Sequence, residues 1–121
     1  MKRDMNLVRK ILQWAEQQEH GFTGGNPKFD NISEEVIDHH IYLMNDAGLI
    51  DAVDSTNLSS TSPTALMSNI SWRGHEFLDA SRDETIWNKA KDTILKPAAG
   101  VAFDVLLEWL KIETKKKLGL P

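Results

Sequence analysis

Residues 40–50, HIYLMNDAGLI, and residues 70–78, ISWRGHEFL, decide how this 121-residue chain folds. In the first stretch Ile41 and Met44 continue a helical spacing begun at Ile37. Ser33 supplies an N-cap for that helix, and Glu34 and Glu35 place negative charge at its positive end. Gly48 can take the left-handed conformation that ends helices, after which Leu49 and Ile50 enter an extended segment. Upstream of the second stretch, Leu66, Ile70 and Trp72 fall on one face of a period-two pattern, and Met67, Asn69 and Ser71 fall on the other. The pattern predicts a strand over 66–72 paired antiparallel with 49–54. Between them, 55–64 (STNLSSTSPT) is polar and rich in serine and threonine, which predicts a mobile hairpin tip.

Working outward, Asp4 can cap a helix running to about Glu19. Its apolar positions are Val8, Ile11, Leu12 and Ala15, with Leu7 and Trp14 widening the face. Residues 20–31 hold Gly21, Gly24, Gly25, Asn26 and Pro27, turn formers too dense for a helix, so a loop with a short strand at Phe29 is expected. Downstream, Phe77, Leu78, Ile86, Trp87, Ala90 and Ile94 mark a helix from about Gly74, bent near Asp83 and closed by Lys96 and Pro97. A last helix carries Phe103, Leu106, Leu107 and Leu110, then a basic turn and Gly119. The expected fold is mainly α with a small β-hairpin and extra C-terminal helices. It forms one domain over 1–121, divided into a hairpin-bearing core (1–96) and a C-terminal amphipathic helix (97–121).

The order helix, loop, helix, strand, polar loop, strand, helix resembles a winged helix. Residues 40–50 resemble the end of the recognition helix in bacterial winged-helix regulators, and 70–78 the strand-to-helix exit of the same wing. Over almost the whole chain, MKRDMNLVRKIL, HHIYLMNDAGLI, ISWRGHEFLDASRDETIWNKAK and KKKLGL fall in the order seen in the bacterial and phage domain-of-unknown-function family 2513, which the chain resembles. That resemblance implies a winged-helix-like fold in a bacterial or prophage setting and carries over no catalytic residue. The chain departs from the regulator pattern: residues 33–47 hold Glu34, Glu35, Asp38 and Asp46 and no lysine or arginine, and the wing tip has no basic residue either. A DNA-binding winged helix needs a further helix ahead of the recognition helix, and only the glycine-rich segment 20–32 stands there.

Composition narrows the function classes. With 40% hydrophobic and 26% charged residues, a chain of this length can bury roughly two thirds of its unfolded surface in one core. The absence of cysteine removes disulfides, thiolate metal sites and cysteine nucleophiles. Asp4, Asn6, Arg9 and Lys10 interrupt what would be a signal-peptide core. The most apolar stretch, 101–112, is far shorter than the roughly 20 residues of a membrane span, so a cytoplasmic location is expected. Charge is uneven: four basic and three acidic residues over 1–20, three and eleven over 21–88, seven and four over 89–121. Those blocks carry net +1, −8 and +3, so a polyanion would be drawn towards the C-terminus and repelled by the middle.

Candidate chemistry is sparse. Glu35 and His39 stand at i, i+4 beside Asp38 and His40, but adjacent histidines project about 100° apart on a helix, and no third ligand is set by the spacing. No metal, cofactor or catalytic residue is therefore expected, and a small metal-assisted or hydrolytic enzyme using His39 and His40 is the alternative. Gly24-Gly25 lacks the Lys and Ser/Thr of a phosphate loop, and the serines of 59–62 lack a nucleophile elbow. The tryptophans at 14, 72, 87 and 109 are assigned to the core or an oligomer interface. The expected function is a non-enzymatic binding module with an unidentified protein partner or a DNA-linked role. Contacts are assigned to His39, Tyr42, Lys111, Lys115, Lys116 and Lys117, with at most weak duplex binding. A homodimer is expected through Leu106, Leu107, Trp109 and Leu110 of the last helix.

Overall fold

The structure, a computed structural model, describes residues 1–97 and 100–121. Its elements are α1 (Met5–Glu16), α2 (Glu34–Asp46), β1 (Ile50–Asp54), β2 (Ala65–Ile70), α3 (Trp72–Ala80), α4 (Glu84–Ala90) with a π-helical extension Lys91–Leu95, and α5 (Phe103–Lys117). The chain divides into two compact units, 1–75 and 76–121, with the division inside α3. The sequence places its step at 96/97 instead. Among the described residues no helix is long and apolar enough to cross a membrane.

The first unit is built from caps and a mixed core. Asp4 accepts from the backbone N–H of Asn6 and Leu7 and starts α1. That helix stops at Glu16, one turn short of the expected Glu19, where the Gln18 side-chain amide donates to Trp14 O. Ser33 caps α2 by accepting from Val36 N–H. Leu7, Val8, Ile11, Leu12 and Ala15 of α1 are buried, as are Ile37, Ile41 and Met44 of α2, and Leu49, Ile50, Ala65 and Met67 in and beside the hairpin. His40 is also buried. Its Nδ1–H donates to Val36 O (2.8 Å), and its Nε2 accepts from Asp4 N–H (2.9 Å), tying α2 to the cap of α1.

The hairpin forms where its pattern predicts, but its faces differ from the simple alternation. Asp51 opposes Asn69 while Ala52 opposes Met67, leaving Ser68 as an extra residue in β2. A bulge of this kind shifts every later side chain to the other face. Leu66 therefore points to solvent with its partner Val53, although Ile70 lies opposite buried Ile50. The expected grouping of Leu66 with Ile70 and Trp72 is corrected on both counts. Trp72 lies beyond the strand as the first residue of α3 and is 83% exposed, outside the core.

Two junctions hold the hairpin. At one, Ser71 donates its backbone N–H to Leu49 O and its hydroxyl to Gly48 O, and its Oγ accepts from Gly74 N–H. α3 thereby approaches the backbone so closely that a Cβ on Gly74 would lie 2.0 Å from Leu49 O. Gly48, with φ +78°, makes the turn that brings this carbonyl into place. At the other junction the glycine-rich loop lines the free edge of β2. Thr23 N–H donates to Ser68 O and its hydroxyl to Met67 O. Asn26 copies a peptide group, accepting from Met67 N–H and donating to Ala65 O. Residues 17–33 contain no helix, and the isolated bridge Phe29–Ile32 stands where the short strand is expected.

In the second unit, the expected bend near Asp83 is a full break. Asp83 leaves the helical conformation and accepts from Ile86 N–H, capping α4. Phe77 meets Trp87 edge-on at 6.0 Å and Phe103 at 5.1 Å, beside buried Leu78, Ile86, Leu106, Leu107 and Leu110.

Candidate binding surfaces

The outward side of α2 carries Glu35, Asp38, His39 and Tyr42, and the hairpin tip is fastened to it. Glu35 Oε1 accepts from the hydroxyls of Thr61 (2.5 Å) and Ser62 (2.7 Å), and His39 Nδ1–H donates to Pro63 O (2.8 Å). Inside the tip Ser55 and Thr56 bond to Thr64, and Asn57 N–H donates to Ser60 Oγ, so the segment expected to be loose is held at several points, with Leu58 projecting into solvent. Tyr42 stacks on His39 at 6.2 Å, and Asp38 accepts from the Asn26 amide at 2.8 Å. The two hydroxyls hold the Glu35 carboxyl below the usual carboxylate range, so it is ionised at neutral pH. No lysine or arginine occurs between Lys28 and Arg73.

His39 and His40 do not converge on a common point. Their rings are perpendicular, 6.4 Å apart, and both nitrogens of His40 are engaged with backbone. Oε1 of Glu35 serves the tip hydroxyls. Among the described residues no cluster of three or more His, Asp or Glu side chains is spaced to hold a metal ion.

The first unit also contains an open groove of about 700 Å³, formed by the end of α1, the start of the glycine-rich loop, the end of β2 and the first turn of α3. Ala15 and Ile70 supply apolar wall, Glu19, His20 and His75 polar wall, and Phe22, 77% exposed, stands at the rim. Pattern reading misses this site because its residues come from four elements. The one local signal is Phe22 itself, an aromatic residue set among Gly21, Gly24 and Gly25 with no apolar partner at helical or strand spacing.

The C-terminal residues are placed differently from the expectation. Lys111 pairs with Glu76 (3.3 Å) and Glu108 (3.7 Å), Lys116 with Glu113 (3.5 Å), and Lys117 with Asp83. Of the four lysines assigned to an anionic partner, Lys115 is the one with no carboxylate partner among the described residues. Leu106, Leu107 and Leu110 are buried within the chain, so the surface they were expected to offer a second copy belongs to the core. Val105 and Ile112 are exposed on α5, with Trp109 half-buried.

Residues 2–101 match the family model described as "Hypothetical protein (DUF2513)". An uncharacterized protein of Haemophilus influenzae is 36% identical over 114 residues, which cover 88% of this chain and 89% of that one. No solved structure matches.

Proposed function

The chain belongs to the DUF2513 family, and from that premise we propose that it is a non-enzymatic binding module of winged-helix type that engages a protein partner in a bacterial or prophage cytoplasm. One observation carries the preference for protein over duplex DNA. The side of α2 that would enter a major groove holds carboxylates and is already occupied by the hairpin tip through Glu35 and His39. Phosphate contact gains affinity by releasing counterions to cationic side chains, and α2 and the hairpin offer none. The lysines of α5 are mostly committed to carboxylates. A metal-assisted or hydrolytic role for His39 and His40 draws little support from a His40 ring with both nitrogens bonded to backbone and a His39 ring turned by its Nδ1 towards Pro63 O. A homodimer through α5 would rest on Val105, Trp109 and Ile112 rather than on the buried leucines.

A fluorescence titration of random duplex at two salt concentrations tests the preference. Wild type is expected to bind at about 10⁻⁴ M or weaker at physiological salt. A Lys115→Ala/Lys116→Ala/Lys117→Ala variant should bind more weakly still. Nanomolar binding to one sequence that survives these substitutions would overturn it.

A further inference from the structure

We propose that the groove beside Phe22 is the docking site for an extended segment of a partner protein in which a lysine or arginine flanks an apolar side chain. The proposal deepens the protein-binding reading above and rests on it. Phe22 is not exposed for want of anchoring. The next residue, Thr23, is fixed by its N–H, which donates to Ser68 O (2.9 Å), and by its hydroxyl, whose one proton is shared between Met67 O (3.1 Å) and Gly25 O (3.0 Å). The bulge at Ser68 sits where these bonds converge on β2, so the same irregularity that flips the strand faces also anchors the loop. Phe22 is thus held at the rim of a concavity, an aromatic anchor set out before any partner arrives, with little ordering left to do on binding.

The chemistry of the walls selects the occupant. Ala15 and Ile70 beside Phe22 favour one apolar side chain, and Glu19 supplies negative charge in a lining that holds no lysine or arginine. The unit around it has six basic and ten acidic residues over 1–75, a field that attracts a cationic segment and repels an acidic one or a nucleic acid. A volume of about 700 Å³ falls within the range of pockets that take ligands of a few side chains.

The test is selection of short random peptides displayed on phage against the intact chain, followed by titration of the most enriched sequence as a labelled synthetic peptide. Enriched sequences should place Lys or Arg next to an aromatic or aliphatic residue. Phe22→Ser and Glu19→Lys should each weaken binding about tenfold or more while keeping the wild-type circular dichroism spectrum and melting curve, as both side chains are exposed. The triple lysine variant at 115–117 should bind the peptide as wild type does. Acidic consensus sequences, no enrichment, or binding retained by both groove variants would overturn the site. Any of these, with duplex binding still weak, removes the groove alone and leaves the protein-binding reading standing. Sequence-specific nanomolar duplex binding would remove both.

Discussion

The two units hold their charges with different mixes of partners. In the second unit, which carries eight basic and eight acidic residues, most of the basic side chains pair with carboxylates across short distances: Lys89 and Lys116 share Glu113, Lys111 bridges Glu76 and Glu108, Lys96 reaches Asp92 and Arg82 reaches Asp79. In the first unit Lys28 pairs with Glu34, but several other carboxylates are held by neutral donors. Asp4 takes backbone amides, Glu35 the hydroxyls of Thr61 and Ser62, Asp38 and Asp51 the amides of Asn26 and Asn69, and Asp54 the Thr56 N–H. A carboxylate fixed by a hydroxyl or amide keeps its full charge, whereas one fixed by a lysine is neutralised. The first unit therefore keeps a field that a partner can feel, and it also exposes Phe22, Val53, Leu66 and Trp72. The second unit exposes apolar side chains of its own, Val105 and Ile112 among them, so the contrast between the units lies in how charge is held rather than in apolar surface.

The most damaging way to break the contrast is at Gly74. An alanine there would set Cβ 2.0 Å from Leu49 O, and a backbone oxygen cannot rotate away as a side chain can. Gly74→Ala is expected to lower stability by about 3 kcal/mol, the upper end of overpacking costs. Urea denaturation monitored by circular dichroism should show it, and a loss below about 1 kcal/mol would mean that α3 shifts freely off the hairpin. His40→Ala comes next, at about 2–3 kcal/mol, because it empties a buried site and takes away the acceptor of Asp4 N–H. Hydrogen exchange at the first turn of α1 should accelerate in that variant, and unchanged protection there would refute the tie.

Much of the architecture was legible because it is local. Caps at Asp4 and Ser33 and the stop at Gly48 each depend on residues within a few positions, and the hairpin pairs two neighbouring strands of the sequence. What escaped was non-local. The bulge at Ser68 answers to Thr23, far away in sequence, so periodicity alone assigns Leu66 to the wrong face. The tip residues look loose by composition, yet their hydroxyls meet Glu35, a partner invisible to turn rules. The α5 leucines match an interface and a core equally well by spacing, and only burial separates the two. The groove was missed for the same reason, since four elements contribute to it.

Asn26 sharpens the comparison at a smaller scale, since it is a neutral side chain doing the work of a strand edge beside Asp38. Asn26→Ala leaves Met67 N–H and Ala65 O without their partner and should cost about 1–2 kcal/mol. Asn26→Asp should cost more, because a second carboxylate would face Asp38, now 2.8 Å from the amide nitrogen, and Ala65 O. Thermal melts at neutral pH would rank the two, and equal losses would show that the charge of Asp38 plays no part.

The smallest effect is also the most direct measure of the difference between the units. Glu35 and Asp54 have carboxyls held below their ordinary range by neutral donors, Glu35 by the Thr61 and Ser62 hydroxyls and Asp54 by the backbone and hydroxyl of Thr56. Asp92 and Glu113 are lowered by lysines, Asp92 by Lys96 and Glu113 by Lys89. In all four the folded value lies below the unfolded one, so each contributes stability at neutral pH that disappears as pH falls through the folded value. Salt separates them. Raising ionic strength from about 0.1 M to 1 M shortens the screening length from about 10 Å to about 3 Å, which weakens attraction between exposed charges and leaves a hydroxyl-to-carboxylate bond nearly untouched. Carboxyl carbon shifts followed by NMR through an acid titration should therefore show Asp92 moving back towards its ordinary value in 1 M salt. Glu113, whose side chain is 13% exposed, should move less, and Glu35 and Asp54 least. If Glu35 relaxes as far as Asp92 does, its depression comes from charge rather than from the tip hydroxyls, and the hairpin tip is not fastened to α2 by the bonds that the fold displays.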